Sequence, residues 1–247
     1  MDEAPGRPAA IVTGGGTGIG RAAALALRRD GFDVAIAGRR PEPLQETREL
    51  IGEGCLVHAG DIREPEVQES LVDATLRAFG RIDVLVNNAG GQFVAPAEDI
   101  TPNGWRAVRR LNLDAPWFLT QRVAKRWMIP NRGGRVISVV LCPRRGIEGM
   151  AHSSAARAGM GVLTQTLALE WGKYNVGLVC VAPGWIDTEG VAQYGADLDE
   201  VAQHVPMKRL GRAEEVGDLI AFLASPRAAY ITGTTVVIDG GVEVTTG

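Results

Sequence analysis

Cysteine is scarce in this chain, and the three present (Cys55, Cys142, Cys180) show no CxxC spacing. They cannot all pair with one another, which excludes a disulfide-stapled scaffold and fits free thiols in a reducing compartment. No apolar run approaches the roughly 20 residues that span a bilayer. The opening MDEAPGRP is acidic and proline-bearing, unlike a secretory leader, so a cytoplasmic location is expected. The net charge of -3 gives no basic surface for nucleic acid or an anionic membrane. Internal repeats, low-complexity segments and linkers are missing too. Tyrosine occurs only three times (Tyr174, Tyr194, Tyr230), which limits any chemistry that needs a phenol.

What remains is a chain of 247 residues with 45% hydrophobic side chains, ordinary for one soluble domain that buries its own core. Short apolar runs at 9–12, 34–37, 84–86, 136–137, 176–181 and 236–238 read as buried parallel strands. Amphipathic segments such as 21–29, 66–79 and 155–171 lie between them. This alternation predicts a single-domain α/β Rossmann fold over 1–247, a doubly wound parallel sheet of about seven strands with helices on both faces. The one long irregular stretch, 188–212, is the expected substrate lid.

The first strand runs into Thr13-Gly14-Gly15-Gly16-Thr17-Gly18-Ile19-Gly20, and a helix follows at once. Glycines let the backbone turn sharply against a pyrophosphate, while the helix N-terminus offers free N–H groups and a positive dipole end. Strand before and helix after are the context that turns a weak motif into a nicotinamide dinucleotide site. The second strand ends at Gly38-Arg39-Arg40, where an NAD-binding fold usually carries an acid for the ribose hydroxyls. Gly38 has no carboxylate, and Arg39 suits the extra phosphate of NADP(H), which is therefore expected in preference to NAD(H).

Taken together, these residues make the chain resemble a short-chain dehydrogenase/reductase along nearly its whole length. The glycine run matches that family's TGxxxGxG, Asn87-Asn88-Ala89-Gly90 its NNAG, and Asp239-Gly240-Gly241 its closing DGG. Pro183-Gly184-Trp185-Ile186-Asp187-Thr188 matches PGxIxT. The resemblance implies cofactor contacts at Gly14, Thr17, Gly18, Ile19, Gly20, Arg39, Asp61, Ile62, Asn88, Ala89 and Gly90. It adds Arg157, Pro183, Gly184, Ile186 and Thr188, with Asp61 meeting the adenine and Ile186 and Thr188 the carboxamide. It also implies a homotetramer built on helices at about 102–128 and 152–171, and no metal.

The family's chemistry rests on a Ser, a Tyr about thirteen residues later and a Lys four residues after that. Here Val140, Ser153 and Arg157 stand at those positions, and only Asn112 of the usual four remains. A serine hydroxyl does not ionise near neutral pH without a base, and arginine stays protonated. Ordinary ketone–alcohol chemistry is therefore not expected. The stretch NNAGGQFVAP with His152-Ser153-x-Ala155-Ala156-Arg157-Ala158-Gly159 resembles a narrower branch, the peroxisomal trans-2-enoyl-CoA reductases and related dienoyl-CoA reductase-like proteins. Where the dienoyl-CoA reductases carry a Tyr eleven residues before the Ser, this chain has Cys142.

The resemblance implies reduction of an enoyl thioester, which needs donors aimed at the thioester oxygen more than an acidic phenol. Asn112 and Ser153 are the candidate donors, Arg157 a ribose anchor, and Tyr194, in the candidate lid, the phenol best placed to reach a substrate. Two further readings stay open: a catalytically silent NADP-binding homologue, and a carbonyl reductase with a non-standard proton donor.

Overall fold

The computed structural model describes residues 6–141, 146–192 and 197–244. The strands are β1 (Ala9–Thr13), β2 (Asp33–Gly38), β3 (Cys55–Ala59), β4 (Val84–Asn87), β5 (Gly134–Val139), β6 (Val176–Pro183), β7 (Ile186–Asp187), β8 (Gly211–Arg212) and β9 (Thr234–Ile238). Seven of them form one parallel sheet in the order β3-β2-β1-β4-β5-β6-β9, while β7 and β8 pair separately. The helices are α1 (Gly18–Arg29), α2 (Pro41–Ile51), α3 (Pro65–Phe79), α4 (Pro102–Arg109), α5 (Ala115–Val123), α6 (Ala151–Trp171), α7 (Glu189–Ala192), α8 (Leu198–His204) and α9 (Ala213–Ala224).

Alternate residues along each strand serve opposite faces of the sheet. Ala10, Val12, Val84 and Val86 pack on one side with Ala23 and Leu27 of α1 and Val216 and Ile220 of α9. Ile11, Leu85 and Val136 pack on the other with Leu71 of α3, Leu119 of α5 and Leu167 of α6. The doubly wound sheet expected from the alternation is thus the one observed. α1 and α9 meet closely because Gly217 has no side chain; a Cβ there would stand 2.7 Å from the Ala22 backbone. Among the described residues no helix is long and apolar enough to cross a membrane.

Three features depart from the expectation. β3 is a strand that the apolar runs did not reveal, because its five residues at the sheet edge are not fully buried and it lacks a continuous apolar run. The helical stretch 102–128 is interrupted by two π turns, Arg110–Asp114 and Ala124–Met128. The segment 188–212 is not simply irregular, since it carries α7, α8 and β8. Tyr194 and Cys142 lie outside the described residues.

One buried cation braces the sheet behind the site. Arg135 on β5 is 7% exposed, and its guanidinium donates to the Ile231 carbonyl at 2.6 Å and to the Ala228 carbonyl. Gly177 on neighbouring β6 makes the room, since a Cβ there would overlap the guanidinium. Arg135→Met keeps most of the volume but removes both charge-assisted bonds, so we expect a loss of about 2–4 kcal/mol, read from the urea midpoint. A midpoint unchanged from the parent protein would show that the bonds contribute nothing net.

Candidate active site

Where β2 and β4 diverge on either side of β1, the carboxyl ends of the strands open into a crevice, the usual ligand position in such sheets. Gly14 turns the chain there with φ +68°, its N–H held by the Ala37 carbonyl at 2.7 Å. Thr17 precedes α1 without its side chain capping the helix, so the first N–H groups of α1 keep no side-chain acceptor from that residue. The rim is locked by the buried Thr13 hydroxyl, which accepts the Asn88 and Ala89 N–H groups, each at 3.0 Å, and donates to the Val86 carbonyl. Asn88 returns a bond from its Nδ2 to the Thr13 carbonyl at 2.9 Å.

A cleft of about 610 Å³ runs along this rim, within the usual range for a cofactor site. All the cofactor contacts expected from the sequence line it, from Gly14 and Thr17 at one wall to Ile186 and Thr188 at the other. Its backbone walls are as bare as a flat dinucleotide requires. A Cβ on Gly90 would stand 2.6 Å from Arg157 Nη2 and 2.8 Å from Asn112 Oδ1, and one on Gly18 would meet the Thr188 methyl at 3.2 Å. Residues and space therefore fit a nicotinamide dinucleotide.

At the far end, Arg39 is exposed and lines the cleft beside Gly38. Asp61 is bound by its neighbour: both carboxylate oxygens take the Arg63 Nε at 3.0 Å. That hydrogen bonding to Arg63 holds the Asp61 carboxyl below its ordinary range, although burial opposes it.

At the other end the expected catalytic residues separate into distinct jobs. Asn112 sits in the first π turn, 5% exposed, and its Nδ2 donates to the Val108 carbonyl at 2.9 Å and to the Gly91 carbonyl at 2.7 Å. Its Oδ1 accepts the Gly91 N–H at 3.3 Å. The amide is thus committed to the loop after β4. Ser153 is fully buried in the first turn of α6, and its hydroxyl donates to Gln92 Oε1 at 3.3 Å. Arg157, one turn further on, donates through Nη2 to the same Gln92 oxygen at 3.5 Å and through Nη1 to the Val139 carbonyl at 3.1 Å. Val140 is buried and apolar where the resemblance expects a serine.

Gln92, which lines the cleft and joins Ser153 to Arg157, was not singled out from the sequence. It sits in the quoted NNAGGQF run, but nothing in a lone amide after two glycines announces a partner sixty residues away.

With the geometry in place, the comparisons are specific. Residues 14–243 match the family model described as Enoyl-(Acyl carrier protein) reductase. A probable 2,4-dienoyl-CoA reductase, (2E)-enoyl-CoA-producing, of Bacillus subtilis (strain 168) is 38% identical over 244 residues, covering 95% of this chain and 96% of the relative. The chain belongs to the short-chain dehydrogenase/reductase family. A peroxisomal 2,4-dienoyl-CoA reductase, (3E)-enoyl-CoA-producing, of Danio rerio is 35% identical, covering 96% of this chain and 81% of the relative. Among solved structures, an actinorhodin polyketide ketoreductase with NADPH superposes with a TM-score of 0.92 at 28% identity, covering 96% of this chain and 97% of that one.

Gly90→Ala tests the cleft directly. The added methyl displaces either the Arg157 guanidinium or the Asn112 amide. We expect dinucleotide binding, followed by cofactor fluorescence, to weaken at least about tenfold while the thermal midpoint falls only modestly. Unaltered affinity would place the cofactor away from Gly90.

Proposed function

We propose that this protein is an NADPH-dependent reductase of the carbon–carbon double bond of α,β-unsaturated acyl thioesters. The observation that carries the reading is the Gln92–Ser153–Arg157 network, which replaces a phenol–ammonium pair with neutral and permanently cationic donors. The dienoyl-CoA reductase relatives support it, and their names extend the substrate class to conjugated 2,4-dienoyl thioesters.

For a 2-enoyl thioester the reaction adds a hydride to the β-carbon and a proton to the α-carbon. For a 2,4-dienoyl thioester it adds the hydride to the far carbon and the proton to the α-carbon, giving the (3E)-enoyl product that the Danio rerio relative's name specifies. Each turnover consumes one NADPH and one proton. A bound reduced nicotinamide supplies the hydride. The electron pair released from the double bond gathers on the thioester oxygen, so the protein's task is to place donors there. Ser153 and Arg157 pin the Gln92 oxygen and so fix the plane of its amide beside the cleft. In this reading Gln92 Nε2 is the donor to the thioester oxygen, with Ser153 and Arg157 holding it. Asn112, expected as a second donor, instead fixes the loop that carries Gln92. Arg157 also lines the cofactor cleft and suits the ribose hydroxyls.

Tyr194 keeps its proposed part as a lid phenol of the segment 188–212. The same reading assembles four copies on the α4–α5 and α6 faces, where Phe118, Val162 and Leu169 are exposed.

Cofactor choice is tested by titrating both reduced cofactors. Arg39→Ala removes one charged partner of the 2′-phosphate, so NADPH affinity should fall about tenfold or more while NADH affinity holds. Equal affinity for both cofactors in the parent protein would refute the preference.

The reaction is tested by NADPH oxidation with 2-enoyl-CoA, 2,4-dienoyl-CoA and 3-ketoacyl-CoA esters. The first two should turn over and the ketone should not. Gln92→Leu should lower kcat by about 10²–10³, the usual cost of one such donor, with NADPH affinity nearly unchanged. Ser153→Ala should lower kcat well beyond tenfold. Tight NADPH binding with no reduction of any unsaturated thioester would favour the silent cofactor-binding alternative.

A further inference from the structure

The histidine beside Ser153 has no place in the chemistry above. His152 is 1% exposed, and its ring meets the Phe93 ring edge to face, with centroids 4.3 Å apart and planes at 83°. Its Nδ1 accepts the Ser153 backbone N–H at 2.8 Å. The residue before α6, Met150, has no side chain able to cap the helix. His152 therefore satisfies one of the amide groups that the first turn leaves open. Accepting at Nδ1 requires a neutral ring with its proton on Nε2, and that nitrogen is buried without a partner among the described residues.

We propose that neutral His152 is a positioning residue for the reduction, fixing the first turn of α6 and, through it, the Ser153 hydroxyl that holds Gln92. The inference rests on the enoyl-reductase reading given above. The chain of contacts is short: His152 Nδ1 accepts the Ser153 backbone N–H, the Ser153 hydroxyl donates to Gln92 Oε1, and Gln92 lines the cleft. Phe93, the residue after Gln92, is held against the same imidazole from the loop side. Gly104 of α4 leaves room for it, since a Cβ there would come within 2.8 Å of the Phe93 ring. One imidazole thus braces both the helix that pins Gln92 and the loop that carries it.

Protonation undoes this arrangement. A proton on Nδ1 removes the acceptor and sets a positive charge at the positive end of the helix dipole. Burial keeps the ring's pKa below its ordinary value of 6.5, outweighing the Met150 carbonyl, whose hydrogen bond favours the protonated ring, so the brace is intact at neutral pH and is lost as pH falls through that lower value. Phe93 faces the ring from the loop, and the Ser153 amide and Met150 carbonyl from its own helix turn; none of these titrates. Of the charged residues nearest in the chain, Glu148 is on the exposed turn before α6, and Arg157 is turned to Val139 and Gln92.

Two substitutions separate the acceptor from the ring. His152→Phe keeps the aromatic packing but has no acceptor, and His152→Asn supplies an acceptor oxygen without the ring. Hydrogen exchange of the peptide covering 150–157, read by mass spectrometry on the folded full chain, should show faster exchange in His152→Phe and near-parent protection in His152→Asn. With the unsaturated CoA esters, kcat should fall more than tenfold in His152→Phe and less than about threefold in His152→Asn. The acidic limb of the parent's kcat profile below pH 6.5 should be absent from His152→Asn. Parent-like exchange in His152→Phe would overturn the proposal even if no thioester proves to be a substrate. So would an acidic limb that persists unshifted in His152→Asn. Failure of the parent protein to reduce any thioester, with the exchange pattern as expected, would leave the brace standing and remove the reaction assigned to it.

Discussion

Asn112 bonds to Gly91 in both directions, Nδ2 to its carbonyl and Oδ1 from its N–H, and the loop after β4 takes its course from that pairing. The π turn makes it available. Asn112 Nδ2 also occupies the Val108 carbonyl, the group that an unbroken α-helix would give to the Asn112 backbone N–H. Gly90 just before the clamp must lack a side chain, and Gln92 just after it falls beside Ser153 and Arg157. Three consecutive residues are thereby held from the helix on one side and from α6 on the other. The cofactor wall and the donor set of the site consequently share one support.

The electrostatics of the site follow from what α6 carries. A phenol beside an ammonium group is a pair whose proton can be exchanged with substrate. Serine and arginine are not, because one hydroxyl is far too weak an acid and the guanidinium never gives its proton up at physiological pH. What the pair can do is donate, and both donate to one amide oxygen. A site of fixed donors suits a reaction whose charge develops on a carbonyl oxygen distant from the carbon receiving the hydride.

Much of this was legible in the residues. Continuous apolar runs marked the buried central strands, and the glycine run between strand and helix marked the cleft, because both arise from local and strict demands on the backbone. β3 escaped because its five residues at the sheet edge carry no continuous apolar signal. The π turns escaped because nothing in Arg110-Leu111-Asn112-Leu113-Asp114 separates a π turn from an α turn until Asn112 meets its two carbonyls. Asn112 was found by its motif, yet its committed amide could not be read from a spacing, and Gln92 was invisible for the same reason. Partners sixty residues apart are set by packing and not by local pattern. The same holds for Arg135, whose acceptors at 228 and 231 come from the far end of the chain.

The claim that the site places hydride on a carbon–carbon double bond and not on a ketone is tested most directly by following the transferred atom. A single turnover is run with NADPH deuterated at the transferring position of the nicotinamide and a mixture of 2,4-dienoyl-CoA and 3-ketoacyl-CoA, and the products are read by mass spectrometry and NMR. The account predicts one deuterium on a carbon of the former diene, a solvent-derived hydrogen on the α-carbon and an unlabelled ketoacyl ester. Deuterium on the carbinol carbon of a 3-hydroxyacyl product, with the diene untouched, would contradict it.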